Sequence, residues 1–489
     1  MNELVIGALP IAAMGSAALL IMLLSAFIRN GRLVGYISLV LTALSGGWPV
    51  FYLWEQKGVV VPGALLSSDR LALFFDGLFV LAALLCMALV PDYLEKKGKS
   101  GRSEIYGLIA LAACGMMALS SATNLIVFYL GLELMSVSFY VLAGFLREHE
   151  NSVEAALKYF ILGAFSSAFL LTGAAFLYGS LGALDYGGIA IRLSGNIFTF
   201  GQPMLLLGFF LFLVGLLFKL SLIPFHFWAP DVYQGSPTPV SALMAVGGKA
   251  AAVGAAMRLF LSAFSQSPLL SGKWAVVFAS IGILTIFAGS MIALTQRHMK
   301  RLLAYSSIVH AGFLALGLGA LGLSAPLGQK MVEAILFYVA AYLFMNFGAF
   351  AVAGAAERPE NQDEPVRRFS GLGATSPLLS AFFALFMFSL LGLPLTAGFL
   401  GKFYIFGTLV SAHSYWIASL GLLGTVIATF YYLKVVVALY FPPAGDEPAP
   451  APRVGAMTWA VVVLAAVFTI YLGIFPGLVT AAAEGLNIG

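Results

Sequence analysis

Residues 219–241 read KLSLIPFHFWAPDVYQGSPTPVS. Lys219 ends an uncharged run that starts at Phe200, and Pro224 follows five residues later. A proline inside a helix removes a backbone hydrogen bond and clashes with the preceding turn, so the apolar stretch from 203 to 234 is expected to break there. A second long stretch, 377 to 412, contains Pro394. Around the two prolines, Phe218, Leu220, Ile223, Pro224 and Phe225 align with Phe388, Leu390, Leu393, Pro394 and Leu395. The chain thus carries two interrupted helices of related sequence.

The surrounding sequence places those helices in a membrane. With 489 residues, 61% hydrophobic and only 9% charged, the chain falls outside the soluble multidomain class. Apolar runs long enough to cross a core of roughly 30 Å lie near 4–28, 33–54, 71–93, 104–122, 124–146, 155–178, 203–234, 238–262, 274–295, 302–322, 331–355, 377–412, 414–440 and 456–480. This predicts an all-α integral membrane protein of about fourteen transmembrane helices. The first run has no basic stretch ahead of it and is too long for a cleavable signal, so it is expected to be a retained span. Cys86 and Cys114 sit in apolar stretches without metal-ligand spacing and are expected to pack. A net charge of +4 carries no message about nucleic acid.

The broken spans are the seventh and twelfth, five apart. A tandem unit with an odd number of spans re-enters the bilayer from the opposite side, so helices 4–8 and 9–13 are expected to form two inverted repeats. The expected divisions are an N-terminal three-helix segment (1–103), a first repeat (104–262), a second (274–440) and a C-terminal helix (456–489). Inverted repeats with interrupted helices recur in transporters, whose ion sites lie at the breaks. Orientation follows from the basic residues. One set of alternate loops holds Arg29, Arg32, Lys96, Lys97, Lys99, Arg102, Arg147, Arg297, Lys300, Arg301, Arg358, Arg367, Arg368 and Arg453; the other holds Lys57, Arg70, Arg192, Lys273 and Lys330. The richer set is expected in the cytoplasm and both termini outside. Arg258 and Lys434 are close enough to helix ends to snorkel.

Against that apolar background, Glu133, Lys158, Lys219, Lys249 and Lys402 interrupt the spans. A charge at the bilayer centre costs at least about 2.5–3.5 kcal/mol, so each must be paired, hydrated or neutral. Desolvation disfavours the charged form of lysine, bringing an ordinarily permanent cation within reach of proton exchange; structural charge pairing is the alternative for Lys219, Lys249 and Lys402. The charge on Glu133 should depend on whether a lysine partner is protonated. Lys158 lies only a few residues inside its span, where snorkelling accounts for it equally well. His310, on the tenth span after Tyr305, Ser306 and Ser307, is either a two-nitrogen relay or a hydrogen-bonded core histidine. His226 and Asp231 are expected to fix the turn at the first break, and Asp76 and Glu333 to be solvated or structural. Unit charges about 7–10 Å apart still interact by roughly 2 kcal/mol at an effective dielectric near 20, so charging one site discharges the next. Closely spaced lysines repel larger cations, which favours protons as the ion moved.

The 219–241 stretch resembles the broken-helix signature of the antiporter-like membrane subunits of respiratory complex I, NADH:quinone oxidoreductase. The resemblance extends over essentially the whole chain: LGLELMS around Glu133, EAALKYFILGAFSSA around Lys158, GGKAA around Lys249, KRLLAYSSIVHAGF at 300–313, and LPLTAGFLGKF ending in Phe403. Within the family the N-type subunits are most similar. The L and M types tend to carry an alanine-and-histidine run where this chain has Gly248, Lys249 and Ala250, and M tends to place a glutamate at Lys402. The L type adds C-terminal spans and a long lateral helix.

What the resemblance implies is a proton-translocating membrane-arm subunit of the bacterial inner membrane, part of a translocase but without redox chemistry of its own. FMN, iron–sulfur clusters, NADH and quinone would be handled by partner subunits, and no cofactor or metal is expected on this chain. The implied neighbours are subunit M, the small subunits K and J, and the lateral helix of subunit L. The implied roles are Glu133 and Lys158 as an interacting pair near a cytoplasmic half-channel, Lys219 as central switch, Lys249 as connecting relay, and Lys402 as terminal site. Two other readings stand beside this one: a subunit of a multi-subunit cation/proton antiporter, and a non-conducting scaffold subunit.

Overall fold

A computed structural model describes residues 6–61, 63–194, 202–265, 267, 270, 272–323, 328–360, 363–442 and 448–483. The start of the expected first span, residues 4–5, and the tail 484–489 lie outside the described residues. Among the described residues, twelve helices are long and apolar enough to cross a membrane. They are α1 (Leu9–Phe27), α2 (Gly31–Glu55), α3 (Arg70–Lys96), α4 (Glu104–Ser121), α5 (Leu125–Ala143), α6 (Glu150–Leu181), α8 (Thr238–Phe264), α9 (Lys273–Thr295), α10 (Met299–Leu323), α11 (Gly328–Ala356), α13 (Tyr415–Tyr440) and α14 (Ala456–Ile474). The two expected breaks supply the other spans: α7a (Gln202–Lys219) with α7b (Trp228–Gly235), and α12a (Pro377–Leu391) with α12b (Ala397–Ser411).

Lipid tails are as apolar as leucine, so helices in a membrane gain most by close approach through small residues. In the first half α4 meets α5 this way: a Cβ on Gly115 would lie 2.4 Å from Met135 N, and one on Gly131 2.6 Å from Leu119 N. In the second half α9 meets α10 likewise, a Cβ on Gly282 lying 2.9 Å from Gly312 O and one on Gly312 3.0 Å from Gly282 O. The opening helix pair of each five-helix unit therefore packs by the same device. The best hydropathic windows of α8, α10 and α11 are wholly buried, whereas that of α1 is 28% buried and that of α13 33%. These three helices form the central row of the molecule, screened from lipid by the rest.

At the first break residues 220–227 leave the helix, and buried side chains take up the freed backbone groups, as irregular backbone at membrane depth requires. Trp228 Nε1 donates to Phe218 O (3.1 Å), and Ile223 N donates to Thr285 Oγ1 on α9 (3.0 Å). At the second break Gly392 (φ 96°) ends α12a, and Gly398 N donates to Ser389 Oγ (3.2 Å). Each break holds a non-glycine residue in the left-handed region, Ser221 (φ 58°) and Leu395 (φ 71°), strain that persists only where surrounding packing dictates it.

The alternate loops gather at opposite ends of the bundle. At the basic end Arg32 pairs with Glu95, Arg102 with Glu148, and Lys97 with Glu357 (3.5 Å). Lys300 also lies 3.8 Å from Glu357, and Thr238 Oγ1 donates to the same carboxylate. Burial pushes Glu357 above the usual carboxylate range, the lysines offsetting only part of this.

At the other end Arg258 is not a snorkelling residue. It is 4% exposed, and its two terminal nitrogens each reach an oxygen of Asp69 at 2.6 Å. Its guanidinium is held inside the protein by that carboxylate and by the Ser120 carbonyl, to which Nε donates (3.0 Å). Burial raises the Asp69 carboxyl, but the charge and hydrogen bonds of Arg258, with those from the Ala72 amide and Ser67, more than offset this and hold it below its ordinary value. Asp76 is not solvated either: it is buried against this pair, and its Oδ1 has no hydrogen-bond partner among the described residues. Lys434 does run to its helix end, where Nζ donates to Gln296 O (2.9 Å). Both cysteines are free and buried.

Candidate proton pathway

Lys219 is the last residue of α7a, so the break itself fixes its position. The residue is 6% exposed, and its ammonium donates to Ser136 Oγ on α5 (2.8 Å) and Tyr159 Oη on α6 (3.3 Å) and lies 5.4 Å from the Tyr159 ring centre. Tyr159 stacks on Trp228 (4.4 Å, 5° between planes), and Trp228 is tied to Phe218 O. An aromatic plate thus locks the lysine to both sides of the break. Glu133, one helical turn before Ser136, is half-buried, accepts a hydrogen bond from Ser167 Oγ on α6, and is the carboxylate acting electrostatically on Lys219.

Lys249 lies on α8 immediately after a wide π-turn, Met244–Gly248. The two glycines have a packing reason: a Cβ on Gly247 would lie 2.6 Å from Met116 Sδ, and one on Gly248 3.2 Å from Phe139. Lys249 is 2% exposed, and its ammonium donates to Ser307 Oγ on α10 and lies 5.6 Å from the Tyr233 ring centre. Next to Ser307, Ser306 Oγ is 2.5 Å from Tyr432 Oη of α13. That hydroxyl is 3.1 Å from His310 Nε2, and His310 Nδ1 is 2.6 Å from Tyr338 Oη of α11.

Lys402, 5% exposed, folds from α12b back across the second break and donates to Leu390 O (2.9 Å) and Leu391 O (2.8 Å). These are end carbonyls of α12a, where the helix dipole favours a cation. Its ammonium also lies 5.0 Å from the Phe313 ring centre, one turn along α10 from His310.

The structure brings Lys219, Lys249, His310 and Lys402 into the buried centre, with Glu133 beside Lys219. It does not join Glu133 to Lys158. Lys158, with its side chain 40% exposed, pairs with Asp231 Oδ2 and Glu154 Oε1, both at 2.6 Å. The physical reason is reach: Lys158 lies near the basic end of α6 and Glu133 deeper, beside Ser167, which is nine residues or about 13 Å farther along that helix. Asp231 is not a turn-fixing residue but a charge hub, holding Lys158 and, at 2.5 Å, Arg301. A polar cavity of about 150 Å³, lined by Asn151, Glu154, Asp231, Gln234 and Arg301 among others, opens beside it, with room for several waters. His226 is half-buried, and its Nδ1 has no partner among the described residues. Among those residues no three His, Cys, Asp or Glu side chains converge as metal ligands.

The NADH:quinone oxidoreductase/Mrp antiporter transmembrane family model matches residues 122–428, which take in both breaks and every lysine of this row. The chain belongs to that family. Its relatives within the NADH:quinone oxidoreductase branch include NADH-quinone oxidoreductase subunit N of Trichlorobacter lovleyi, 41% identical over 416 residues (85% of this chain, 83% of that one). Subunit N of Paramagnetospirillum magneticum is 37% identical over 490 residues (98% and 97%). Among solved structures, a chain of respiratory complex I from Thermus thermophilus superimposes with a TM-score of 0.80 at 34% identity, covering 98% of this chain and 100% of that one. A chain of the Mrp complex from Dietzia sp. gives a TM-score of 0.83 at 20% identity (99% and 98%), which speaks to the shared fold alone. The antiporter-like family fold accounts for the two breaks, and the N-type relatives match the branch that the lysines at 249 and 402 indicate.

Sequence reasoning did not single out the hydroxyls. Ser136, Ser167, Tyr159, Tyr338 and Tyr432 carry no signal in an apolar helix beyond being polar, and only the fold shows which of them face the titratable groups. A signal was available for Asp231, a carboxylate beside a break and the one acid between Asp185 and Glu333 in the sequence.

Proposed function

We propose that this chain is the N-type, proton-translocating membrane-arm subunit of a bacterial NADH:quinone oxidoreductase. Electron transfer from NADH to quinone takes place in other subunits that hold FMN and iron–sulfur clusters, and this chain converts the released energy into proton movement. The observation that carries the reading is that Lys219, Lys249 and Lys402 are all buried, yet none has a carboxylate within 4.0 Å among the described residues. A permanent, uncompensated ammonium is among the costliest groups to bury. Three of them, facing hydroxyls, carbonyls and ring faces, suit cations that give up and regain a proton.

In this reading protons enter at the basic end through the polar cavity at Asp231. Lys158 and Glu154 hold that mouth, and Glu133 sets the charge state of Lys219. Transfer then runs from Lys219 to Lys249, through His310 to Lys402, and out at the second break. Moving one charge against 100 mV requires about 2.3 kcal/mol, within the reach of coulombic coupling between neighbouring sites. We place the basic end in the cytoplasm and both termini outside, in a bacterial inner membrane. We take residues 104–262 and 274–440 as the two inverted units, and subunits M, K, J and the lateral helix of L as the neighbours. Lys219→Ala tests the reading. In assembled, NADH-oxidising complex it should remove most proton pumping, whereas a scaffold subunit would leave pumping intact.

A further inference from the structure

Each ring nitrogen of His310 rests on a phenol. Nε2 is 3.1 Å from Tyr432 Oη and Nδ1 is 2.6 Å from Tyr338 Oη. The Tyr432 hydroxyl lies 2.5 Å from Ser306 Oγ as well, and the next residue, Ser307, receives the Lys249 ammonium. On the other side Tyr338 packs against the residue before Lys402: a Cβ on Gly401 would be 2.9 Å from Tyr338 Cδ2. Ser306, His310, Tyr338 and Tyr432 are all at most 1% exposed. Three helices, α10, α11 and α13, thus place one serine, one imidazole and two phenols in a single file between two buried lysines.

We infer that Tyr432 and Tyr338 are proton-transferring residues, the two hydroxyl steps by which His310 links Lys249 to Lys402. The inference rests on the proton-translocating reading above and adds two residues to it. A neutral phenol donates one hydrogen bond and accepts others, so it passes a proton without ionising. In the loaded arrangement Ser306 O–H donates to Tyr432 Oη, Tyr432 O–H donates to Nε2, and Nδ1–H donates to Tyr338 Oη. When the serine pair takes a proton from the Lys249 side, the Ser306 proton moves to Tyr432 as the Tyr432 proton moves to Nε2. At each oxygen one bond to hydrogen forms as another breaks, and at Nε2 one forms, leaving an imidazolium. The imidazolium then releases its Nδ1 proton to Tyr338, whose own hydroxyl proton leaves toward Lys402. His310 ends as the opposite tautomer with every hydrogen bond reversed. The hydroxyls and the imidazole must turn before a second proton passes, so the file carries one proton per turn.

The experiment uses the whole complex, purified and reconstituted in vesicles, with NADH-driven proton pumping measured in H2O and D2O. Tyr432→Phe keeps the ring and removes the bridge, and Ser306→Ala removes only its upstream partner. Each should reduce pumping about ten-fold or more in assembled complex, as loss of a proton-transfer group does. Each should also enlarge the ratio of rates between H2O and D2O, which a merely structural role leaves unchanged. If Tyr432→Phe fails to assemble, Ser306→Ala decides by the same two readings. The inference is overturned if pumping stays within about two-fold of wild type, or if it falls with an unchanged isotope ratio. Lys219→Ala run in parallel separates the two levels. A normal Tyr432→Phe beside an inactive Lys219→Ala removes the hydroxyl steps and spares the functional reading, and two normal variants remove both.

Discussion

Lys158 Nζ and Asp231 Oδ2 stand 2.6 Å apart, and the other oxygen of Asp231 takes Arg301 at 2.5 Å. Lys158 therefore spends its charge on carboxylates near the basic end and does not enter the buried row. A partly exposed pair of this kind is worth about 0–1 kcal/mol, and Glu154 remains to Asp231 and its neighbours as a second acid at the mouth. Lys158→Gln should leave NADH-driven pumping within about five-fold of wild type. Loss as complete as that from Lys219→Ala would place Lys158 in the relay after all.

Asp231 is the more demanding position, because one carboxylate serves two cations. Asp231→Asn leaves Arg301 beside Lys158 without the charge between them. Pumping should fall further than in Lys158→Gln, and raising salt should narrow the difference, since this mouth is open to solvent. Equal pumping by the two variants at low salt would contradict a shared hub.

Arg258 and Asp69 make the opposite case, a largely buried pair at the other end of the bundle. Asp69→Asn strands a guanidinium and should cost about 3–5 kcal/mol, read as a fall in thermal stability of the purified complex. Because Asp69 is held below its ordinary value in the folded chain, its contribution is present above the unfolded carboxylate value and is lost as pH falls through the folded one. Acidification below about pH 4 should therefore destabilise wild type more than the variant. The raised Glu357 has the reverse sign: stability is lost as pH rises through its folded value, and Glu357→Gln should flatten that decline. Parallel pH profiles for wild type and variant would refute either assignment.

Helix approach through glycine gives a packing prediction. Gly115→Val would drive a branched side chain into the backbone of Met135, where even a Cβ falls 2.4 Å from N. The neighbour is backbone and cannot give way, so the amount of assembled subunit in membranes should drop sharply. Gly47→Ala, with nothing within 4 Å of its Cβ, should leave it unchanged.

The span count, the two breaks and the burial of Lys219, Lys249 and Lys402 were legible because hydrocarbon imposes strong, local rules: apolar length, proline, and the cost of charge. Partnerships were less legible. Arg258 and Lys434 look alike in sequence, each a basic residue near a helix end, yet one meets Asp69 in the protein and the other runs to its helix end. Lys158 illustrates the same limit, since reach along a helix is read from spacing but the partner across the bundle is not. The two phenols facing His310 were invisible for that reason. Tyr338 and Tyr432 lie on two other helices, α11 and α13, and only their convergence on the imidazole gives them meaning.

The central claim is that the buried lysines exchange protons and do not merely supply positive charge, and Lys249→Arg tests it most directly. Arginine keeps the cation beside Ser307 but does not deprotonate in proteins. Measured as NADH-driven pumping by assembled, reconstituted complex, Lys249→Arg should lose pumping as fully as Lys249→Ala. Pumping restored to the wild-type rate by arginine would show that a fixed charge suffices and would contradict the account.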